Sequence, residues 1–324
     1  MSLRWIFGTL SPAGPRARLS VVIFHRVLAA VDPLFPGEPD ADRFDQQLRL
    51  LKRWFDILPL PDAVTALREG RLPARALAIT FDDGYADNCT VALPVLQRHA
   101  LPATFFIATG FLDGGRMWND TVIETVRSCA LPEIDLTVLG LGICRLGSIV
   151  ERRAAIATLL AKLKYLPPRE REDRVEKLAE LCGSALPGAL MLTSDQILQM
   201  RGAGMTIGAH TIHHPILARL SDADARDEIA GGKEWLERLL GERVALFAYP
   251  NGKPCRDYLS THVRMARELG FDAAFSTAHG TASTGEDTFE IPRFTPWDRT
   301  PFRYGLRMAQ NLARREVVTA TRSG

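Results

Sequence analysis

The sequence contains few cysteines and no long hydrophobic run. Its 324 residues include five cysteines, an odd number, and none of them forms a Cys-x-x-Cys pair. This pattern indicates neither a disulfide framework nor a zinc ribbon. No window of about 18 apolar residues occurs, so the sequence predicts no membrane-spanning helix.

Strong charge, internal repeats and phosphate-binding glycine motifs are also missing from the sequence. The formal net charge is +2, which indicates neither a nucleic-acid partner nor an anionic membrane. No repeat, low-complexity tract or Gly-rich phosphate loop occurs. The sequence therefore gives no positive indication of a nucleic-acid-binding protein, a repeat protein or a phosphate-loop enzyme.

The N-terminus carries a short apolar stretch with Trp5, Ile6, Phe7 and Leu10, and prolines and arginines follow it at once. The stretch is too short for a standard signal peptide, so we expect a cytoplasmic protein. The four apolar residues belong either to a packed first helix or to a peripheral membrane contact.

What the sequence does contain is the composition of one enzyme-sized α/β unit. Hydrophobic residues make up 46% and charged residues 24%, which is ordinary for a globular protein with a sizeable core. Apolar runs typical of buried strands alternate with helical patterns, as in an α/β barrel. The predicted strands are Ser20 to Phe24, Leu77 to Phe81, Ala103 to Ala108, Thr206 to Ala209, Leu246 to Tyr249 and Ala273 to Ser276.

Two short motifs lie at the ends of predicted strands. Residues 80–85 read Thr-Phe-Asp-Asp-Gly-Tyr, and residues 210–215 read His-Thr-Ile-His-His-Pro. His210 and His214 are four residues apart, a spacing that lets two imidazoles converge on one ion from a helical turn or a tight loop. Because barrel active sites lie at the carboxyl ends of strands, both motifs occupy positions where catalytic groups are expected.

Asp83, His210 and His214 are the candidate ligands of a catalytic metal ion. Three protein ligands leave at least one coordination position open, as in catalytic rather than structural sites. Asp82 then remains as a base, provided that the chain turns at Gly84 so that both carboxylates serve one centre. Each motif alone is more often a solvated turn or a pair of unrelated histidines. Their co-occurrence beside apolar strands favours the metal site.

The chain resembles the polysaccharide deacetylases of carbohydrate esterase family 4, which share a NodB-like homology domain. The resemblance rests on the Thr-Phe-Asp-Asp-Gly segment and the downstream His-Thr-x-x-His, and it covers roughly residues 19 to 298. It implies a metal-dependent hydrolase that removes acetyl groups from N-acetylated sugars, built on an irregular (β/α)7-type α/β barrel. It also implies that Asp82 is the catalytic base and that Asp83, His210 and His214 bind the metal.

A third segment that resembles the family pattern is Phe247–Gly252, in which Tyr249 and Pro250 are candidate substrate contacts. The arginine that often precedes this proline in the family, where it steadies the catalytic aspartate, is absent here. Arg293 lies in a later apolar segment. It either supplies the missing charge as part of the catalytic site or forms a surface salt bridge.

The late histidine of the family, its usual general acid, has no clear counterpart in this sequence. His25 follows the first predicted strand, and Phe24–Val27 resembles the Tyr-His-x-Val segment of the biofilm-type poly-N-acetylglucosamine deacetylases. His279 follows the last predicted strand and is the alternative. The resemblance favours His25, although a histidine at a strand end can also be purely structural.

Aromatic residues near the motifs are candidate sugar contacts. Trp118 either stacks on a sugar ring through its apolar face or anchors the following helix, with Asn119 or Asp120 as the N-cap. Trp297 carries the same ambiguity. Tyr85 is a candidate substrate contact, and its backbone N–H could stabilise an oxyanion.

The segment from about Asp113 to Leu192 departs from the alternating pattern and is predicted to be a helical insertion. Within it, Ile149 to Leu163 and Arg169 to Leu181 have amphipathic spacing and are joined through Pro167-Pro168. We therefore divide the chain into three parts. These are an N-terminal segment (1–18), a barrel with the insertion at about 113–192 (19–298) and a C-terminal helix or tail (299–324).

Together, the motifs and the resemblance predict an enzyme that removes N-acetyl groups from an N-acetylhexosamine in an exopolysaccharide, a capsule or a lipid-linked glycan precursor. Zinc suits two histidines and one aspartate, and Co²⁺, Ni²⁺, Mn²⁺ or Fe²⁺ could occupy the same ligands. The alternatives are another amidase, O-deacetylase or deformylase on the same scaffold, and a catalytically silent glycan-binding assembly factor. The sequence does not determine the oligomeric state.

Overall fold

A curled, mainly parallel β-sheet forms the centre of the protein. A computed structural model describes residues 3–295, 298–314 and 316–321. The strands are β1 (Arg18–Phe24), β2 (Asp56–Ile57), β3 (Ala76–Phe81), β4 (Thr104–Ile107), β5 (Glu133–Leu136), β6 (Gly142–Arg145), β7 (Thr206–Ala209), β8 (Leu246–Ala248), β9 (Ala273–Phe275) and β10 (Ala282–Ser283). Within the described residues the main sheet has the order β10-β1-β3-β4-β7-β8-β9, and β2 pairs with β3.

The sheet forms a half-barrel whose edges are linked by a short segment near the C-terminus. Neighbouring strands from β1 to β9 are parallel, whereas β10 joins β1 antiparallel. Ile291 forms a bridge to Phe275 of β9, and Phe294 forms a bridge to Val22 of β1. This segment carries Arg293 between the two edges, and the Arg293 side chain is fully buried.

Alternate residues of the strands pack on opposite faces of the sheet. One buried cluster includes Val21, Ala78, Phe106, Ala248 and Phe275. On the other face the strands pack with helices in a larger cluster, which includes Val22, Ile79, Phe105, Ile207 and Phe247. Because both faces are covered, the strand sequences are nearly continuous apolar runs.

Helices surround the sheet. They are α1 (Leu3–Leu10), α2 (Ala41–Trp54), α3 (Leu60–Arg68), α4 (Leu93–Arg98), α5 (Trp118–Ser128), α6 (Ile149–Leu163), α7 (Pro168–Cys182), α8 (Ser194–Gly202), α9 (Asp222–Leu240), α10 (Ser260–Glu268) and α11 (Pro301–Ala313). The hydroxyl groups of Thr193 and Ser221 accept N-terminal amide hydrogen bonds and cap α8 and α9. Among the described helices, none has the length and apolar character needed to cross a membrane.

The six strands predicted from apolar runs correspond to β1, β3, β4, β7, β8 and β9, and their ends lie within two residues of the predicted ones. The prediction missed β2, β5, β6 and β10. These strands contain two to four residues each, and polar residues or glycine interrupt them, so none is the continuous apolar run on which the prediction rested.

The segment between β4 and β7 contains the two predicted amphipathic helices and a β-hairpin that was not predicted. The structure places α6 at the predicted residues, and α7 extends one residue beyond each predicted end. The hairpin pairs β5 with β6 antiparallel, and Gly140 in the turn and Gly142 at the start of β6 have positive φ angles. With α5, α6 and α7 the hairpin encloses its own apolar cluster. The insertion is therefore mixed α/β rather than purely helical.

The first helix is packed on one side and exposed on the other. Phe7 is fully buried, and its ring lies 5.9 Å from that of Trp54 and 4.7 Å from that of Phe55. The alternative of a peripheral membrane contact therefore does not include Phe7. Trp5 remains 55% exposed, and α11 packs beside α1, where Gly305 lies against Leu3.

Candidate active site

The first motif turns sharply where β3 ends. Asp83 and Gly84 have φ angles of 76° and 90°, a region that favours glycine. The backbone N–H of Gly84 donates to the carbonyl of Asp82 at 3.0 Å, and a Cβ at Gly84 would lie 3.2 Å from Cγ2 of Ile107. As a result of this turn, the carboxylates of Asp82 and Asp83 both approach Nε2 of His210, at 3.7 and 3.6 Å.

The second motif forms a tight loop after β7 rather than a helical turn. Thr211 and His214 have φ angles of 67° and 52°. The hydroxyl of Thr211 accepts a hydrogen bond from the backbone N–H of His214 at 3.1 Å. Nδ1 of His210 donates to the carbonyl of Ala248 at 2.7 Å. This hydrogen bond fixes the imidazole and leaves Nε2 facing the two carboxylates.

The structure brings Asp83, His210 and His214 together. One ligand atom from each residue lies within 4.8 Å of the other two. Oδ1 of Asp83 is 3.6 Å from Nε2 of His210 and 3.4 Å from Nε2 of His214, longer than typical hydrogen bonds. The same oxygen is buried and has no hydrogen-bond partner. A buried carboxylate oxygen that faces two imidazole nitrogens fits the ligand set of a divalent metal ion.

Arg293 lies beside Asp82 in the interior, so the alternative of a surface salt bridge is wrong. Its Nη1 and Nη2 donate to Oδ1 and Oδ2 of Asp82 at 2.6 and 2.8 Å, a bidentate arrangement. Nε donates to the carbonyl of Ser276 at 3.2 Å, and Nη1 also donates to Oγ1 of Thr80 at 3.3 Å. The guanidinium therefore orients Asp82 and compensates its buried charge.

Burial and nearby charges set the protonation states of the site. Burial alone would raise the pKa of Asp82, but the charges of Arg293 and His210 outweigh it, so this pKa is lowered. Burial lowers the pKa of His214 to about 4, which keeps its imidazole in the neutral form that binds metals. Burial opposes protonation of His210 too, yet the charges of Asp82 and Asp83 raise its pKa.

A cavity of about 300 Å³ opens beside Asp83, and His25 lines it. His25 directly follows β1. His279 is exposed and lines a different cavity together with Lys253 and Arg314. The structure thus places His25, and not His279, at the cluster of carboxylates and histidines.

Asp120 is a buried carboxyl group in the same cavity, and the sequence analysis did not identify it as a site residue. The hydroxyl of Tyr85 donates to its two oxygens at 3.1 and 3.2 Å. Burial raises the pKa of Asp120 to about 7. The Arg26 guanidinium lies 4.7 Å from the centre of the Tyr85 ring and pairs with Asp87 at 2.7 Å. No local pattern distinguishes Asp120, because its burial depends on how α5 packs.

Trp118 begins α5 and is half-buried rather than exposed. The N-cap of α5 is Met117, which makes no side-chain capping bond, so the predicted capping by the residues after Trp118 is wrong. The Arg171 guanidinium lies 4.9 Å from the centre of the Trp118 ring. Both side chains line a groove of about 1090 Å³ that His213 also lines. Trp118 therefore neighbours the histidine loop without lining the cavity of His25.

Two predicted substrate contacts are buried in the interior. Tyr249 is fully buried, its ring stacks on Tyr258 at 3.9 Å, and its hydroxyl donates to the carbonyl of Phe289 at 3.0 Å. Pro250 is buried as well. The prediction that these side chains contact substrate is wrong, since they pack the core instead. Trp297 lies outside the described residues.

The fold and the site together define an α/β half-barrel with a buried carboxylate and histidine centre at the carboxyl ends of its strands. A family model described as "Polysaccharide deacetylase" matches residues 69–134 and 151–274. The chain belongs to the polysaccharide deacetylase family and is a carbohydrate deacetylase. The family model does not match residues 135–150, which include β6 of the insertion.

Solved structures of similar fold include IcaB from Ammonifex degensii, with a TM-score of 0.61, 20% identity and coverage of 94% of this chain and 99% of that one. The Streptococcus pyogenes deacetylase PplD in complex with acetate has a TM-score of 0.59 and 20% identity, covering 91% and 98%. A curated relative, "Putative polysaccharide deacetylase YxkH" of Bacillus subtilis (strain 168), is 19% identical over 279 residues, covering 86% of this chain and 71% of its own. These similarities confirm the predicted irregular α/β barrel, whose sheet is curled into a half-barrel.

Proposed function

We propose that this protein is a metal-dependent N-deacetylase that hydrolyses the acetamide of an N-acetylhexosamine in an exopolysaccharide, a capsule or a lipid-linked glycan precursor. The observation that carries the proposal is the assembly of buried Asp82, Asp83 and His210 with the partly buried His214, and the pairing of Arg293 with Asp82. Hydrolysis of an unreactive amide requires such a combination of an oriented base and an electrophilic centre.

Asp83, His210 and His214 are the proposed ligands of a divalent cation, with Zn²⁺ as the first choice and Co²⁺, Ni²⁺, Mn²⁺ or Fe²⁺ as alternatives. The bound ion would polarise the acetyl carbonyl and lower the pKa of a water molecule. The fit of the residues to such an ion rests on the unpartnered, buried Oδ1 of Asp83 and on the fixed orientation of the His210 ring.

Asp82 is the proposed base that accepts a proton from the attacking water. The charge of Arg293 outweighs burial and lowers the pKa of Asp82, so this carboxylate is ionised at neutral pH. The two hydrogen bonds from Arg293 also hold both carboxylate oxygens in one orientation. A preoriented base avoids reorganisation during the reaction.

His25 is the proposed general acid, which protonates the nitrogen of the departing amine. An amine leaves far more readily when it is protonated, and histidine is the side chain suited to deliver a proton near neutral pH. The support for His25 is its position in the cavity beside Asp83.

The backbone N–H of Tyr85 is the proposed donor to the developing oxyanion. The N–H groups on either side, of Gly84 and Ala86, donate to the carbonyls of Asp82 and Leu190. Within the described part of the chain, no such bond engages the N–H of Tyr85. An uncommitted N–H at the site is what oxyanion stabilisation requires.

The substrate contacts are proposed to come from Tyr85 and from Trp118, which lines the neighbouring groove. The division of the chain at residues 18 and 298 and the cytoplasmic location stay predictions from the sequence.

The experiment that tests the proposal is acetate release by the purified protein from N-acetylglucosamine oligosaccharides of several linkages. The protein is stripped of metal and then resupplied with Zn²⁺, Co²⁺ or Ni²⁺, beside the variant Asp82→Asn. We expect metal-dependent acetate release by the wild type. The variant should keep the metal but lose turnover, because an amide cannot accept the proton.

The outcomes separate the alternatives. Full activity of Asp82→Asn would refute the assignment of the base. No acetate from a folded, metal-loaded protein would favour a non-acetyl acyl group or a lipid-linked substrate. Failure to bind any of the three metals would favour a silent glycan-binding assembly factor.

A further inference from the structure

The two terminal helices form a face with large exposed apolar side chains. Trp5 on α1 is 55% exposed, and Phe302 and Leu306 on α11 are 74% and 46% exposed. We call these three residues the terminal apolar face. The helices are in close contact, since a Cβ at Gly305 would lie 2.5 Å from Cδ1 of Leu3.

Helix geometry places the three side chains on the solvent side of the two packed helices. Successive helical residues are about 100° apart, so Phe302 and Leu306 project within about 100° of Gly305, the residue that faces α1. On α1, Trp5 lies nearly opposite the buried Phe7. The terminal apolar face therefore consists of solvent-exposed apolar side chains on two helices that are in contact.

The charges of the terminal segments have one sign. Residues 1–18 and 299–314 contain seven arginines and no aspartate or glutamate, and Asp298 directly precedes the second range. The whole chain carries a net charge of only +2, so the remainder of the molecule is net acidic. On the helices themselves, the basic residues are Arg4, Arg303 and Arg307. Arg307 pairs with Asp298, so Arg4 and Arg303 supply the positive charge beside the terminal apolar face.

We propose that the terminal apolar face rests on the surface of an anionic lipid bilayer. Its apolar side chains would enter the boundary between headgroups and acyl chains, while the arginines beside them would meet anionic headgroups. A second copy of this chain is a poorer occupant, because a two-fold contact through this face would bring arginines against arginines. The inference does not depend on the proposed catalytic mechanism.

The test is cosedimentation of the full-length protein with vesicles of phosphatidylcholine, alone or mixed with phosphatidylglycerol. Trp5→Ser/Phe302→Ser/Leu306→Ser should partition at least about tenfold less to the anionic vesicles, because it loses the apolar contact. The matched control is Val138→Ser/Ile143→Ser, which changes side chains that are 79% and 61% exposed on the insertion. The control should bind as the wild type does.

The contribution of the arginine charges to vesicle binding is tested separately. Arg4→Gln/Arg303→Gln should weaken binding to the anionic vesicles by about fivefold per arginine and should leave binding to phosphatidylcholine unchanged. Added salt should weaken wild-type binding to the anionic vesicles, because salt screens charges at a membrane surface.

Three results would overturn the proposal. They are wild-type protein that sediments with neither kind of vesicle, a triple variant that binds like the wild type, and a wild-type dimer that the triple variant abolishes in sedimentation velocity. Circular dichroism verifies the fold of each variant. If the triple variant does not fold, Phe302→Ser alone replaces it, since Phe302 is the most exposed of the three at 74%. Phe302→Ser must then bind the anionic vesicles more weakly than the control Val138→Ser/Ile143→Ser.

Discussion

Three aspartates near the site show how the surroundings of a side chain determine what it can do. Asp82 is paired with Arg293 and stays ionised. Asp83 presents an oxygen without a hydrogen-bond partner to two imidazoles. Asp120 is buried beside the Tyr85 hydroxyl, and burial raises its pKa to about 7. One residue type therefore provides a proposed base, a proposed metal ligand and a carboxyl group that titrates near neutral pH.

The raised pKa of Asp120 predicts a pH-dependent cost to stability. Because the folded pKa of about 7 exceeds the unfolded value of about 3.9, the folded state binds the proton more tightly, and stability falls as the pH rises between these values. Asp120→Asn removes this titration. Chemical denaturation at pH 5 and pH 8 measures the free energy of unfolding. Raising the pH should lower this free energy in the wild type by on the order of 2 kcal/mol more than in the variant. If the free energy of unfolding changes equally in the wild type and in Asp120→Asn, Asp120 does not titrate in this range.

Replacing His25 tests the choice between two histidines. His25→Ala should slow amide cleavage by roughly two to four orders of magnitude, because the leaving amine loses its proton donor, and metal content should be unchanged. Acetate release and metal analysis of the purified variants measure both effects. His279→Ala is the matched control and should stay close to wild type, since His279 lines another cavity. The reverse result would assign the general acid to His279.

At the scale of elements, the position of the histidine loop depends on close packing of β7. A Cβ at Gly208 would lie 2.5 Å from Cδ1 of Phe106 and 3.1 Å from the carbonyl of Leu246. Gly208→Ala should therefore lower the free energy of unfolding by about 1–3 kcal/mol through overpacking. Gly202→Ala at the end of α8 is the control, because nothing lies within 4 Å of its Cβ position. Chemical denaturation that finds equal stability for both variants would refute this account of β7.

At the scale of the whole molecule, metal binding should stabilise the fold. A ligand at about 100 times its dissociation constant adds about 2.7 kcal/mol to the free energy of unfolding. We expect this gain after Zn²⁺ is returned to stripped wild type or Asp82→Asn, but not to His214→Ala. The control His213→Ala should behave like the wild type, since His213 is exposed and pairs with Glu228 at 2.7 Å.

The stabilisation of the fold by Zn²⁺ should depend on pH. The pKa of His210 in the metal-free protein is raised by Asp82 and Asp83 against the effect of burial, so a proton competes with the metal for this imidazole. The stabilisation by Zn²⁺ should therefore decrease as the pH is lowered through that raised pKa. A gain that is equal at acidic and neutral pH would argue against His210 as a ligand.

Features encoded within a few consecutive residues could be predicted from the sequence alone. Each main strand is a single apolar run, because it is buried on both faces. The carboxylates and histidines of the two motifs lie directly after such runs, at the end of a barrel where active sites form. Strand positions and the cluster of Asp83, His210 and His214 followed from these local patterns.

The tertiary structure alone decided which distant residues meet and which are buried. Arg293 and Asp82 are 211 residues apart, and they pair because residues 291–294 link β9 to β1. Tyr249 is in the core, and Asp120 lies in the cavity of His25. Pairing and burial depend on how separate segments pack in space, whereas a local pattern reports only which face of its own element is apolar.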